Sequence, residues 1–113
     1  MGSPAVYSTS KSALIGLTRY LATYLGEYNI RANSISPGGI RSEQNKKFLK
    51  NYSKKVPLNR MGFTREIVDT ILFLSSEKSN YITGQNLIVD GGYTLIFLEI
   101  PLYSIFLREN VIS

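Results

Sequence analysis

The sequence predicts an α/β fold resting on a parallel sheet, and only part of one. Three features lead there. Helical and strand-like patterns alternate in the order helix, strand, polar excursion, helix, strand, which is the pattern of parallel-sheet folds. Only two segments read as strands, and a two-stranded parallel sheet leaves its faces uncovered unless further strands and helices flank it. The first helix is apolar over much of its circumference, so both of its sides require a packing partner. The chain therefore reads as the second half of a larger domain.

The first helix is expected from about Ala5 to Tyr28. Leu14, Leu17, Thr18, Leu21 and Leu25 recur at helical spacing, and Ala13, Tyr20 and Tyr24 line a neighbouring stripe. Gly26 and Asn29 supply a stop. Ile30–Ile35 alternates as a short strand, which Ser36-Pro37-Gly38-Gly39 breaks. From Ile40 to Lys55 the chain is polar and basic. Phe48, Leu49 and Tyr52 mark one short helix inside that excursion, and Val56–Gly62 is a loop. Thr64 is expected to cap a second main helix from Arg65 to about Ser76, with Ile67, Val68, Ile71, Leu72 and Leu74 as its apolar stripe. Ser79–Gly84 connects it to the strand Gln85–Val89. Asp90-Gly91-Gly92 closes that strand, as a turn supplying positive-φ positions rather than a metal or phosphate loop.

Composition narrows the chemistry. The 113 residues contain no Cys and no His. Disulfide scaffolds, Cys zinc sites, Cys nucleophiles and His-based triads are excluded, and no metal site is expected. Any catalysis must use Tyr, Lys, Ser or carboxylates. The net charge of +5 is uneven: residues 41–65 carry eight bases opposed by Glu43 alone, a net +7, and the remainder carries −2. So local a patch suggests an anionic small molecule or a solvated face more than nucleic acid. No run reaches the roughly 18 apolar residues of a membrane span. The expected location is cytoplasmic.

Tyr7 and Lys11 stand at i and i+4 on the first helix, one turn apart on one face. An ammonium beside a phenol favours the phenolate and lowers the Tyr pKa, which suits the phenol to proton exchange with a substrate oxygen. The pair belongs to a longer pattern. Tyr7-Ser8-Thr9-Ser10-Lys11-Ser12-Ala13-Leu14 is followed by Leu17-Thr18-Arg19 and Ile30-Arg31-Ala32-Asn33-Ser34-Ile35-Ser36-Pro37-Gly38. Pro57-Leu58-Asn59-Arg60-Met61-Gly62 and Ile82-Thr83-Gly84-Gln85-Asn86-Leu87-Ile88-Val89-Asp90-Gly91-Gly92 complete it. In order and spacing, these motifs resemble the C-terminal half of the short-chain dehydrogenase/reductase family, over residues 4 to about 93.

The resemblance implies part of a Rossmann-like, doubly wound parallel sheet, incomplete here, and hydride transfer between NAD or NADP and a carbonyl or alcohol. It makes Tyr7 the general acid/base and Lys11 its electrostatic partner, both counted among the cofactor-binding residues, with Lys11 in contact with the nicotinamide ribose. Pro37 and Gly38 become the turn beside the nicotinamide. Ile40 becomes the backbone contact to the carboxamide. Ser42 takes the place of the family's Thr on the cofactor's phosphate or amide side. Nucleotides bind at the carboxyl ends of strands in such sheets, which agrees with the position of the turn. The family's glycine-rich loop, and its catalytic Ser about thirteen residues ahead of the Tyr, have no counterpart in these 113 residues. A truncated oxidoreductase is therefore expected, with a non-catalytic fragment or interaction module as the alternative. The resemblance also implies a homo-oligomer formed through the Tyr/Lys helix and the 64–76 helix. The excursion after Pro37-Gly38 corresponds to the family's substrate lid, and its lysines suit a nucleotide sugar or another anionic metabolite. Residues 94–113 form an apolar tail outside the resemblance.

Overall fold

The computed structural model describes residues 5–95, with Tyr7 and Ser8 described by their backbone alone. Of the apolar tail, residues 96–113 lie outside the described residues.

Helix α1 spans Ala5–Leu25 and runs into a 3-10 turn over Gly26–Tyr28. Asn29 ends it in the left-handed region (φ 59°), and its N–H donates to the Gly26 carbonyl at 3.0 Å. Asn tolerates this conformation better than most residues. The side of α1 that packs keeps Thr18, Leu21 and Leu25 of the predicted stripe but turns away from Leu14 and Leu17. Ile15, Thr18, Leu21, Ala22 and Leu25 are its sheltered residues, while Leu14 and Leu17 stay 54% and 50% exposed. The reason is local. Gly84 lies so close to Ala22 that a side-chain carbon at Gly84 would sit 3.2 Å from the Ala22 methyl. A small residue facing a glycine permits a closer approach than a row of leucines does.

Strand β1 is Ser34–Pro37 and β2 is Asn86–Val89; they pair in parallel, with Ser34 opposite Asn86 and Pro37 opposite Val89. The first strand thus lies later than the expected Ile30–Ile35. Residues 31–33 are spent on side-chain ties instead. The Ala32 N–H donates to Thr83 Oγ1 at 3.1 Å, Asn33 Nδ2 to the Ile82 carbonyl at 3.0 Å, and the Gln85 N–H to Asn33 Oδ1 at 3.1 Å. Pro37 can stand in the strand because it is the last residue there, and the Gly38 N–H continues the ladder to the Val89 carbonyl at 2.9 Å.

Helix α2 is Lys46–Ser53, capped by Asn45, whose side chain accepts the Phe48 N–H at 2.8 Å. Helix α3 is Thr64–Ser75. Thr64 is its first helical residue rather than its cap. Phe63 occupies the cap position, and its N–H donates to the Glu66 carboxylate at 3.0 Å. The Glu66 N–H that a hydroxyl cap would accept is taken by the Phe63 carbonyl instead, at 2.9 Å.

Glu66 also holds Arg60 through two bonds of 2.6 and 2.8 Å, and the Arg60 guanidinium lies 5.4 Å from the Phe63 ring centre. The Arg60 bond and then the Phe63 amide bring the Glu66 carboxyl from 4.5 down to about 2. A depressed native pKa stabilises the fold above the unfolded value and is lost as pH falls through the native one. Glu66→Gln should therefore flatten the fall in melting temperature between pH 4.5 and about 2. An unchanged slope in circular-dichroism melts would refute that assignment.

The end of α3 is tied down by side chains. Arg31 donates to the carbonyls of Leu74 at 2.8 Å, Ile82 at 2.9 Å and Ser76 at 3.1 Å. The fully buried Ser79 hydroxyl lies within 3.1 Å of the Phe73, Leu74 and Ser76 carbonyls. Together they engage carbonyls that a helix end leaves without partners. The described core is small. Its buried apolar residues are Ala22, Val56 and Met61, while Tyr20 and Leu72 are more than 60% exposed. The helices shelter little of their apolar surface, as a two-stranded sheet implies.

Candidate active site

The site begins where β1 ends. Gly38 packs on Asp90 so tightly that an added side-chain carbon would lie 2.6 Å from Asp90 Cβ and 2.8 Å from its Cα. Only glycine fits without moving backbone. Asp90 in turn orders the turn after β2: its carboxylate accepts the N–H groups of Gly92 at 2.8 Å and Thr94 at 2.9 Å. Partial burial raises the Asp90 pKa, but bonds from Thr94 and Gly92 outweigh it and leave the carboxyl below its ordinary value. Gly91 and Gly92 both adopt positive φ, 64° and 93°. The Asp90-Gly91-Gly92 segment thus serves as a structural turn.

Beyond Gly38 the chain runs extended past Gly62. The Gly62 N–H donates to the Gly39 carbonyl at 2.9 Å, and the Arg41 N–H donates to the Gly62 carbonyl at 2.7 Å. Amides alternate sides along an extended chain, so the N–H and carbonyl of Ile40 face away from Gly62. The Ile40 carbonyl accepts Gln44 Nε2 at 3.2 Å. Among the described residues its N–H has no acceptor. Ser42 is exposed, and its own N–H is taken by Gln44 Oε1 at 2.6 Å.

The structure thus gathers Pro37, Gly38, Ile40 and Ser42 into one turn at the carboxyl end of β1. Tyr7 and Lys11 occupy successive turns at the other end of α1 from the Ala22 contact with Gly84. Beside the turn is a cavity of about 590 Å³ lined by Ile40, Leu58, Ile67, Ile88 and the Asp90-Gly91-Gly92 turn. The α2 lysines are exposed, and the described ion pairs engage Arg60 and Arg65 rather than these lysines. The +7 segment is therefore partly neutralised on its α3 side and remains basic on α2. One residue of the site escapes sequence reasoning. Tyr52 reads as a packing position of α2, yet its hydroxyl accepts the Gly39 N–H at 2.7 Å. Nothing in the spacing of apolar residues signals that bond.

Comparison with known proteins gives a consistent result. Residues 1–94 match the family model described as enoyl-(acyl carrier protein) reductase. The chain is 42% identical over 90 residues to a trans-4-hydroxycyclohexanecarboxylate dehydrogenase of Sinomonas cyclohexanicum, covering 80% of this chain and 34% of that protein. It is 45% identical over 97 residues to the 3-oxoacyl-(acyl-carrier-protein) reductase of Chlamydia trachomatis, covering 80% and 39%. Among solved structures, a short chain dehydrogenase from Leptospira borgpetersenii with bound NAD+ superposes with a TM-score of 0.74 at 49% identity, over 82% of this chain and 37% of that one. A 4-hydroxyisoleucine dehydrogenase complexed with NADH gives 0.75 at 42% identity, over 84% and 42%. The chain spans about a third of the length of the curated relatives it matches.

Proposed function

Because the chain belongs to the short-chain dehydrogenase/reductase family, with a Rossmann-like α/β fold present in part, we propose that it contributes the proton-transfer residues and the nicotinamide-facing turn of an NAD(P)-dependent oxidoreductase. The observation that carries this reading is the Ile40 amide. It is the backbone donor without an acceptor in a turn whose neighbouring amides, at Gly39 and Arg41, are already engaged. A carboxamide oxygen is the acceptor that would satisfy it. The residues present fit a nicotinamide at this point, with Pro37 and Gly38 forming the wall beside it. When bound, the nicotinamide supplies or accepts the hydride.

The chain's own residues handle the proton. Tyr7 exchanges it with the substrate's carbonyl or alcohol oxygen, and Lys11 one turn on favours the phenolate. Ser42, exposed beyond Ile40, is placed for the cofactor's phosphate or amide side. The uncompensated lysines Lys46, Lys47, Lys50, Lys54 and Lys55 support an anionic substrate, a nucleotide sugar or another charged metabolite. The exposed Leu14, Leu17, Tyr20 and Tyr24 on α1 and Val68, Ile71 and Leu72 on α3 support assembly into a homo-oligomer through these helices. The same exposed faces favour a second reading, a non-catalytic module that docks on another chain.

Titration of the 113-residue chain with NADH separates the two. Enhanced NADH fluorescence should saturate with a Kd below about 1 mM. No saturable signal at that level would overturn the cofactor reading in favour of the docking module.

A further inference from the structure

Tyr52 joins three segments that are far apart in sequence. Its hydroxyl accepts the Gly39 N–H at 2.7 Å. Its ring is stacked on Tyr93 with centroids 5.5 Å apart and planes 2° from parallel, and on Phe48 at 6.1 Å and 20°. Tyr93 belongs to the segment that follows Asp90-Gly91-Gly92, and Phe48 to α2. The fit at Gly39 is close: an added side-chain carbon there would overlap the Tyr52 ring, 2.5 Å from its oxygen. Gly39 is glycine because the ring lies against its backbone.

The consequence falls on the next residue. Two contacts fix the two peptides that flank the Gly39 Cα. Gly62 takes the Gly39 carbonyl, and Tyr52 takes the Gly39 N–H. Gly62 turns the Gly39–Ile40 peptide so that the Ile40 N–H points away from it, and Tyr52 holds the preceding Gly38–Gly39 peptide. We infer that Tyr52 is a positioning residue, latching the basic helix α2 and the Tyr93 segment onto the Gly38-Gly39 turn and holding the Ile40 amide outward for a ligand. It acts through Gly39, and its link to ligand binding rests on the cofactor reading proposed above. The latch also couples lid and turn: any motion that lifts α2 must release the Gly39 N–H, freeing the peptide next to the one that carries the Ile40 amide.

Tyr52→Phe tests this in the 113-residue chain, because the ring and its two stacks remain and only the oxygen goes. Amide hydrogen exchange by NMR is the first readout. The Gly39 amide should exchange at least about tenfold faster, and the Ile40 amide resonance should shift, while the Ser34 and Gly84 amides of the sheet region keep wild-type rates. The affinity for NADH should fall about fivefold, the scale of one hydrogen bond, with the melting temperature close to wild type. An unchanged Gly39 exchange rate would overturn the latch. So would equal, saturable NADH binding in both proteins. If wild type does not bind NADH while Gly39 and Ile40 both respond, the latch stands and the cofactor reading fails.

Discussion

On the proposed oxidoreductase reading, replacing Tyr7 with Phe should lower NAD(P)H-dependent carbonyl reduction by about 10²–10⁴-fold, the range by which a positioned general acid contributes. The substitution keeps the aromatic ring and the helix and removes only the phenolic hydroxyl, the group that carries the transferred proton. The loss should appear in kcat, while NADH titration gives a Kd close to wild type. That separation matters, since a variant that had lost its fold would lose both. Lys11→Met should reduce turnover as well, because the ammonium one turn from the phenol is then gone. Steady-state rates across pH are the measurement. Turnover within tenfold of wild type for Tyr7→Phe would remove Tyr7 from the chemistry and return the chain to the docking-module reading.

Replacing Arg31 with Met should lower the unfolding free energy by about 3 kcal/mol. A hydrogen bond to a charged group contributes about 1.5–3 kcal/mol, and carbonyls left without partners in a half-buried setting add their own cost. Arg31 serves three of them, at Leu74, Ser76 and Ile82. These close the end of α3 and anchor the loop that leads into β2. Arg31→Lys should recover only part of the loss, because a single ammonium does not span carbonyls that a planar guanidinium bridges. Urea unfolding gives the magnitude, and exchange of the amides near Ser76 and Ile82 gives the location. A loss below about 1 kcal/mol would show that water serves those carbonyls as well as Arg31 does.

The fold was legible where local chemistry dominates. Helix α1 stops at the glycine and asparagine that signal its end, and Pro37-Gly38 ends the first strand. The shortage of strands correctly implied faces left bare, since no rearrangement of two strands covers both sides of a sheet. The rest was less legible, for reasons of packing. The stripe of α1 that turns inward follows Ala22, because only there does the opposite backbone, at Gly84, come close enough. β1 starts four residues later than its alternation suggests, because Arg31, Ala32 and Asn33 find side-chain and carbonyl partners some fifty residues away. Phe63 rather than Thr64 caps α3, because its carbonyl accepts the Glu66 N–H while the Glu66 carboxylate takes its own N–H.

By itself, then, the sequence determined the class of fold, the family and the Tyr7–Lys11 spacing, all written in short-range patterns of residue type. The tertiary structure alone decided which amide of the Pro37–Ile40 turn remains available and which side chain enforces it. Gly39 reads as a turn residue until Tyr52, thirteen positions on, is seen against its backbone. Short-range spacing records helical and strand faces, but a ring settling on a distant peptide depends on how the elements close in space.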